Sequence, residues 1–475
     1  MNRMKLRSFF RTLILGALLV PQPASGTVFL RISGSELPAV QDMGVKDLVF
    51  AWPIVDASAV RKAEAQGYRV FFEALPGELS TAAENAEQMN IAGVIVAMGN
   101  VDGPGDNELF RLVTAAHPHL SFLRLNPGGK EPQMRGRLVV ERNGILQVSS
   151  PTSLPWVDTN LALVKLVRAF RPDVTPLYSF HWDLSDALRD RLGPAAEDYC
   201  LAVAEASAFH ADVIVDLHEK LQQGLLRKES SAWAVWNTVK RYIAFEQQSR
   251  STASKLRTVA NTGVVIDTVA PSFEGLNLMA RHNIPFVVLR PGDLESKLLE
   301  SLDTLVVFSA PDRAAATVVG DFARHGGIVV IVNLHGEFPW HSLEPAQKDR
   351  QATVYNVGAG QVVELAEPII DPEAFSRDLR RLMGFQRMSL DLWNSLTSVA
   401  IADRQDSNEE TIVNLVNYAL EAEPVQIQIN GHFSSIRYES PEGGCCQHLT
   451  PVRRGRFTEF VIPGLFVQGK VHLSR

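Results

Sequence analysis

Length and charge narrow the possibilities first. At 475 residues the chain is too long for a single hydrophobic core, so about three domains are expected. Its formal charge is −7, and it falls to −11 without the first 26 residues, which carry four basic and no acidic side chains. Such a charge disfavours a nucleic-acid-binding role, because phosphate contacts require a positive surface.

The N-terminus has the pattern of a secretory signal peptide. Basic side chains precede the apolar run Leu13–Val20, and small residues follow as far as Gly26. This order predicts a signal peptide over residues 1–26 and a secreted or periplasmic protein. An uncleaved membrane anchor is the alternative, although the apolar run is much shorter than the roughly 20 residues that span a bilayer.

Residues 27–250 alternate between apolar strand candidates and amphipathic helical stretches. The strand candidates are Thr27–Ile32, Asp47–Ala51, Tyr68–Phe72, Ala92–Ala97, Leu120–Leu125, a segment within Leu138–Val148, Leu177–Phe180 and Val213–Asp216. The helical candidates are Ala57–Gln66, Ala82–Gln88, Asp106–Ala116, Asn160–Phe170, Ala195–Phe209 and Ala232–Gln248. Eight strand–helix units predict an α/β fold, a (β/α)8 TIM-like barrel. The sixth unit is irregular, because Arg142-Asn143-Gly144 is typical of a hairpin turn.

Two further regions follow a polar linker at Ser249–Thr258. Residues 259–385 predict a doubly wound α/β domain, with elements at Gly263–Asp267, Ser272–His282, Pro285–Leu289, Thr304–Phe308, Ala314–Arg324, Gly327–Asn333 and Ala374–Met383. Residues 386–475 change to short alternating runs, which predict a small antiparallel β-sandwich. These runs are Thr411–Asn417, Pro424–Ile429, Phe433–Tyr438, Thr458–Val461 and Gly469–Leu473.

Polar residues at the carboxyl ends of the barrel strands form the candidate site, since catalytic groups of such barrels lie there. The candidate catalytic residues are Glu73, Asp183, Asp216 and Glu219. The candidate substrate-binding residues are Arg31, Trp52, His181, Trp182 and His218. Carboxylates beside tryptophans suit a sugar, because indole faces stack on pyranose C–H surfaces and carboxylates act as acid, base or nucleophile. Each residue also has a purely structural explanation, such as an Arg31–carboxylate ion pair or an Asp183 helix cap.

Cysteine spacing gives little functional signal. Cys200 lies in a helical pattern and is expected in the core, whereas Cys445 and Cys446 follow two glycines in a turn. A vicinal disulfide or a redox role for that pair is the alternative. No Cys-x-x-Cys spacing or histidine–carboxylate cluster appears, so neither a metal site nor a cofactor is expected.

The stretch Gly326–Asn333, after its strand and helix, resembles a class I glutamine amidotransferase-like domain. No cysteine lies between residues 259 and 385, so this domain is expected to be non-catalytic. The order of barrel, amidotransferase-like domain and sandwich resembles the three-domain bacterial β-galactosidases. That resemblance implies a carbohydrate partner and a homo-oligomer, a trimer, formed through the middle domain.

The same resemblance implies a catalytic glutamate after an asparagine at the end of strand four and a glutamate nucleophile after strand seven. Here Val101 follows Asn100, and only Asp183 lies near the nucleophile position. The sequence therefore favours an exported glycoside hydrolase with a rearranged catalytic pair. In that hypothesis Glu219 or Asp216 is the nucleophile or base, and Glu73 is the acid, its pKa raised by apolar neighbours. The alternative hypothesis is a catalytically inactive barrel that binds a glycan or a partner protein.

Overall fold

The computed structural model describes residues 26–32, 34, 36–54, 56–98, 107–135, 139–142, 145–148, 156–180, 182, 194–249, 256–267, 273–405, 410–419 and 421–475. The stretch predicted as a signal peptide lies almost entirely outside these residues, as do His181 and Asp183. Within the described ranges, the helices are all too short or too polar to cross a bilayer.

In the described residues of the first half of the chain there are eleven strands and eight α-helices. The strands are β1 (Val28–Arg31), β2 (Asp47–Ala51), β3 (Arg69–Ala74), β4 (Gly93–Ala97), β5 (Ser121–Asn126), β6 (Gln133–Arg135), β7 (Val139–Arg142), β8 (Ile145–Val148), β9 (Trp156–Asp158), β10 (Leu177–Phe180) and β11 (Asp212–Asp216). The helices are α1 (Val40–Met43), α2 (Ala57–Ala65), α3 (Leu79–Gln88), α4 (Asn107–Ala116), α5 (Leu161–Phe170), α6 (Ala196–Ala208), α7 (Glu219–Leu226) and α8 (Ser230–Ser249).

Seven of these strands close into a parallel barrel, in the spatial order β1-β11-β10-β5-β4-β3-β2. The prediction of eight barrel strands is therefore wrong. The segment within Leu138–Val148 forms the separate hairpin β7–β8 instead, with Val139 opposite Val148. No strand intervenes between β5 and β10, because Leu177 pairs directly with Leu125. The strand predicted as the eighth, β11, is the seventh and closes the barrel against β1.

An apolar layer fills the inside of the barrel. Successive side chains of a strand point to opposite faces, and one inward-facing side chain from each barrel strand joins a single buried cluster. Its members are Phe29, Val49, Phe71, Ile95, Leu125, Leu177 and Ile214. This layer fills the barrel below its carboxyl-end mouth.

The rest of the described chain forms three larger sheets and four more α-helices. The strands are β12 (Leu256–Thr258), β13 (Thr262–Val265), β14 (Phe286–Leu289), β15 (Thr304–Val307), β16 (Ile328–Val332), β17 (Gln347–Lys348), β18 (Ala352–Val357), β19 (Gly360–Leu365), β20 (Leu390–Leu392), β21 (Ser398–Gln405), β22 (Thr411–Asn417), β23 (Glu423–Asn430), β24 (Ser435–Ser440), β25 (Gly444–His448), β26 (Val452–Arg454), β27 (Phe457–Leu465) and β28 (Gln468–Ser474). The helices are α9 (Phe273–Arg281), α10 (Ser296–Leu299), α11 (Arg313–Arg324) and α12 (Pro372–Met383).

A seven-stranded sheet in the order β14-β13-β15-β16-β19-β18-β17 follows the barrel. Strands β13 to β16, which the apolar runs predicted, are parallel, whereas β17 and β18 add antiparallel strands at one edge. Two helices of this region begin at aspartate caps: the Asp312 and Asp371 carboxylates accept hydrogen bonds from the Ala315 and Ala374 backbone N–H groups. Such caps satisfy amides that a helix leaves unpaired at its start.

Two antiparallel sheets end the chain, in the orders β12-β21-β22-β28-β24-β25 and β20-β23-β27-β26. Inward-facing side chains of both sheets, such as Ile427 and Val413, share one core, as expected of a sandwich. The linker predicted at Ser249–Thr258 is partly a strand, because its last three residues pair with β21.

A buried polar network joins the barrel to the sandwich. The Glu205 carboxylate of α6 accepts hydrogen bonds from the Asn160 amide and from the hydroxyls of Tyr178 and Tyr418. Tyr178 lies on barrel strand β10 and Tyr418 follows sandwich strand β22, so one carboxylate binds both units. Its hydrogen-bond partners are what makes a fully buried carboxylate tolerable.

Candidate active site at the barrel mouth

Three charged side chains meet at the carboxyl-end mouth of the barrel. Arg31 ends β1, Glu73 lies near the end of β3, and Asp216 ends β11. Each lies two residues after a member of the apolar layer on its strand, namely Phe29, Phe71 or Ile214. Because side chains alternate with a period of two, all three point into the barrel, one layer above the apolar cluster.

The Arg31 guanidinium binds both carboxylates at once. Its Nε donates to Glu73 Oε2 at 3.0 Å, its Nη2 donates to the same oxygen, and its Nη1 donates to Asp216 Oδ1 at 2.8 Å. The Nε–Nη2 edge of a planar guanidinium lies opposite Nη1. Arg31 therefore lies between the two carboxylates.

These three side chains are close to buried but still reach solvent. The exposed side-chain fractions are 16% for Arg31, 20% for Glu73 and 16% for Asp216. Burial alone would lower the pKa of Arg31, but the attraction of Asp216 and then of Glu73 outweighs it and raises this pKa above its ordinary value. Arg31 is thus a permanent cation at the mouth.

One oxygen of Glu73 is left for a ligand. Arg31 uses only Oε2, and Oε1 accepts no hydrogen bond from any residue in the described ranges. The Ser179 hydroxyl of β10 lies 3.4 Å from Arg31 Nη2, which adds a neutral polar group to the same layer. Ser179 was not among the residues predicted from the sequence, although its position two residues after inward-facing Leu177 could have indicated it.

Trp52 and Trp182, which were predicted to bind substrate, are packed into the wall of the mouth. Trp182 Nε1 donates to the Asp216 backbone carbonyl at 2.7 Å, and its ring centroid lies 4.8 Å from that of Tyr199. The Trp52 ring centroid lies 5.0 Å from that of Phe72. Trp182 thus holds the end of β11 that carries Asp216, and sugar stacking by either indole stays a prediction.

His218 and Glu219 belong to the start of α7 and not to the charged layer. The His218 ring caps this helix, because its Nδ1 accepts from the Lys220 backbone N–H at 3.3 Å. Glu219 is exposed, and its Oε1 accepts from Gln223 Nε2 at 2.8 Å within the same helix. The structure therefore brings together Arg31, Glu73 and Asp216 among the predicted residues, while His181 and Asp183 lie outside the described ones.

Such a layer can carry the chemistry of glycoside cleavage. That reaction needs two carboxyl groups flanking a glycosidic bond and passes through a positively charged, oxocarbenium-like transition state. The mouth supplies two carboxyl groups on different strands, a cation that fixes both, and an apolar floor that excludes water from below.

Comparisons with known proteins agree on the fold. No protein-family model and no curated protein matches this chain. Among solved structures, α-L-fucosidase isoenzyme 2 from Paenibacillus thiaminolyticus matches 94% of this chain and 99% of its own, with 10% identity and a TM-score of 0.57. A β-galactosidase from Bacillus circulans sp. alkalophilus (11% identity, TM-score 0.41) matches 88% of this chain and 66% of its own.

An exo-β-1,4-mannosidase from Opitutaceae bacterium strain TAV5 matches 74% of this chain and 93% of its own, with 11% identity and a TM-score of 0.45. At these identities the likeness is one of fold. The predicted resemblance to glycoside hydrolases is confirmed at that level: the chain has a glycoside-hydrolase-like fold.

Proposed function

We propose that this chain is a glycoside hydrolase that cleaves a carbohydrate at the barrel mouth with Glu73 and Asp216. The observation that carries the proposal is the meeting of these two carboxylates on one guanidinium, in the only charged layer described above the apolar floor. The glycoside-hydrolase-like fold supports a carbohydrate as the ligand, and the end of each strand is where such barrels place their catalytic groups.

Glu73 is the proposed proton donor and acceptor at the glycosidic oxygen. Its Oε2 is fixed by Arg31, so Oε1 is the oxygen that can reach a substrate. A general acid must lie within hydrogen-bond reach of the leaving oxygen, and an orientation fixed by the other carboxyl oxygen meets this need without further rearrangement.

Asp216 is the proposed nucleophile or base on the opposite side of Arg31. Its carboxylate accepts from Nη1 at 2.8 Å, and its backbone carbonyl is held by Trp182. Arg31 is a positioning residue that keeps the two carboxylates apart, on opposite edges of its guanidinium. Glu219, exposed and bound within its own helix, has no part in this mechanism and serves as the matched control.

The alternative is a mouth that binds a glycan without cleaving it. The specific observation in its favour is that Arg31 already occupies one oxygen of each carboxylate. Binding and turnover must therefore be measured separately.

The experiment screens the purified chain against neutral aryl glycosides, with aryl α-L-fucosides and β-galactosides first, and against oligosaccharides. Glu73→Gln and Asp216→Asn should each lower kcat/KM by at least about 100-fold, the scale on which general acid–base groups contribute, while Glu219→Gln should leave it unchanged. Each variant's melting temperature shows that it is folded.

Three outcomes are informative. Turnover lost in both site variants but kept in Glu219→Gln supports the proposal. Glycan binding by calorimetry, with no turnover of any substrate, supports the binding alternative. Turnover that survives both site variants overturns the assignment of Glu73 and Asp216.

Export and assembly complete the proposal. The basic and apolar start of the sequence supports secretion with cleavage after Gly26, and mass spectrometry of the exported chain should find Thr27 at its N-terminus. An intact N-terminus on exported protein would exclude this cleavage. The resemblance to β-galactosidases supports a trimer, which light scattering of the purified chain would test against a monomer.

A further inference from the structure

The vicinal cysteines lie on an edge hairpin of the sandwich, far along the chain from the barrel mouth. Cys445 and Cys446 are disulfide-bonded to each other and follow the turn between β24 and β25. Cys445 is exposed and Cys446 is half-buried. Tyr242 on α8 donates a hydrogen bond to Glu442 in this turn, so the hairpin is docked on the barrel and its position is fixed.

A carboxylate lies beside the two sulfur atoms. One oxygen of Glu439 and the Sγ atoms of Cys445 and Cys446 all lie within 4.8 Å of one another. Zinc, with Zn–S distances of about 2.3 Å and Zn–O distances of about 2.0–2.2 Å, holds its ligand atoms roughly 3.5–4 Å apart, so the two sulfur atoms that are bonded in the disulfide must separate to bind it. Once the S–S bond is broken, rotation of the two cysteine side chains would place both sulfur atoms and the Glu439 oxygen around one ion.

The carboxylate is oriented for this role by a histidine on the neighbouring strand. His472 Nε2 lies 3.2 Å from Glu439 Oε1. Outer hydrogen bonds of this kind fix the orientation of metal-binding carboxylates.

The lysine paired with Glu439 across the sheet is held by another carboxylate. Lys470 lies opposite Glu439 across the sheet, but its Nζ is bound to Glu246 Oε2 at 2.7 Å. Thiolates together with a carboxylate form a donor set that prefers Zn²⁺ to Mg²⁺ or Ca²⁺.

We propose that Cys445, Cys446 and Glu439 form a redox-gated site for Zn²⁺, open in the dithiol state and closed by the disulfide. A dithiol reductant opens it by thiol–disulfide exchange: the Cys445–Cys446 S–S bond breaks, the reductant becomes a disulfide, and its two protons pass to the cysteine sulfurs. Zn²⁺ then displaces both protons from the thiols as it binds. The disulfide lacks thiolates, so it cannot hold the ion.

The test titrates the full-length chain with Zn²⁺ against a chromophoric chelator, after reduction with dithiothreitol and its anaerobic removal. The reduced wild type should bind one Zn²⁺ ion more than the Cys445→Ser/Cys446→Ser variant, and the oxidised wild type should bind no more than that variant. Glu439→Gln should weaken binding at least about tenfold, the lower end of the effect of altering a zinc environment.

Two controls separate this site from others. Cys200→Ser removes a buried thiol outside the cluster, and Glu410→Gln removes a carboxylate that lies 3.3 Å from the other His472 nitrogen; neither should change Zn²⁺ binding. Melting temperatures verify folding of every variant. Equal binding by reduced wild type and the double serine variant, or equal binding by oxidised and reduced wild type, would overturn the proposal.

Discussion

Replacing Arg31 by methionine tests whether one cation holds the barrel mouth together. Methionine keeps an unbranched chain of similar reach but has neither charge nor donors. The change leaves the Glu73 and Asp216 carboxylates facing each other without the guanidinium between them. We expect a less stable fold and lower turnover, because two acids then repel where both were paired.

The expected loss follows from how buried the three side chains are. Removing one partner of a fully buried ion pair costs about 3–5 kcal/mol, whereas an exposed pair contributes about 0.2–1 kcal/mol. Arg31, Glu73 and Asp216 keep 16%, 20% and 16% exposure, so water screens part of the interaction. For the loss of both pairs together we expect about 2–3 kcal/mol.

Urea unfolding at unchanged m-value measures this loss in the free energy of unfolding. A double-mutant cycle with Glu73→Gln shows how much of the loss comes from the Arg31–Glu73 pair. In a Glu73→Gln background one unpaired charge is already gone, so Arg31→Met should destabilise by about 1 kcal/mol less than in the wild type. Arg111→Met, on an exposed pair of α4, is the control and should show no measurable change. A loss below about 0.5 kcal/mol for Arg31→Met, or no coupling to Glu73, would refute the ion-pair argument.

Three further predictions concern the interior. Full burial raises the pKa of Glu205 above its ordinary value, so the native state favours the protonated form of this side chain. The free energy of unfolding of the wild type should therefore fall, relative to that of Glu205→Gln, as the pH rises above the ordinary carboxyl range. A difference between the two proteins that does not change with pH would contradict this. Tyr418→Phe removes a hydroxyl that binds Glu205 and Thr159 and should destabilise by about 1–2 kcal/mol in urea unfolding. Ile214→Ala opens the apolar layer and should cost about 3–4 kcal/mol; a cost below about 1 kcal/mol would mean that the layer is loosely packed.

Local sequence patterns predicted most of the elements. Val213–Val215 is a short β-branched run followed by polar residues, and it is a barrel strand with Asp216 at its mouth. The alternating runs near the end of the chain became strands that share one sandwich core. In both cases the side-chain period alone decides which face is buried, so one stretch of sequence carries enough information.

The number of barrel strands could not be read in the same way. The apolar runs at residues 139–142 and 145–148 have the composition of barrel strands, yet they pair with each other. Closure depends on the pairing of β5 with β10, whose residues are about fifty positions apart. Ring closure is a property of register between distant strands, which local periodicity does not encode.

Contacts within the two sites were equally beyond local patterns. The strand ends predicted that Arg31, Glu73 and Asp216 share a mouth, but only the barrel register shows that Arg31 lies between the acids. The sequence spacing also did not indicate that Glu439 lies beside Cys445 and Cys446, because these residues meet across a hairpin. Glu219 directly follows the helix-capping His218 and is exposed in the first turn of α7.

The charge balance of the mouth restricts what can bind there. Arg31 balances one of the two carboxylates, so loss of the Glu73 proton to the leaving group leaves one negative charge among Arg31, Glu73 and Asp216. A site of that sign attracts a positive charge that develops on a sugar ring during cleavage. An anionic group on the ligand would repel that developing negative charge, because charges in a partly buried mouth are only weakly screened. The arrangement of Arg31, Glu73 and Asp216 therefore favours neutral sugars over uronic or sulfated ones, whichever sugar the walls of the mouth select.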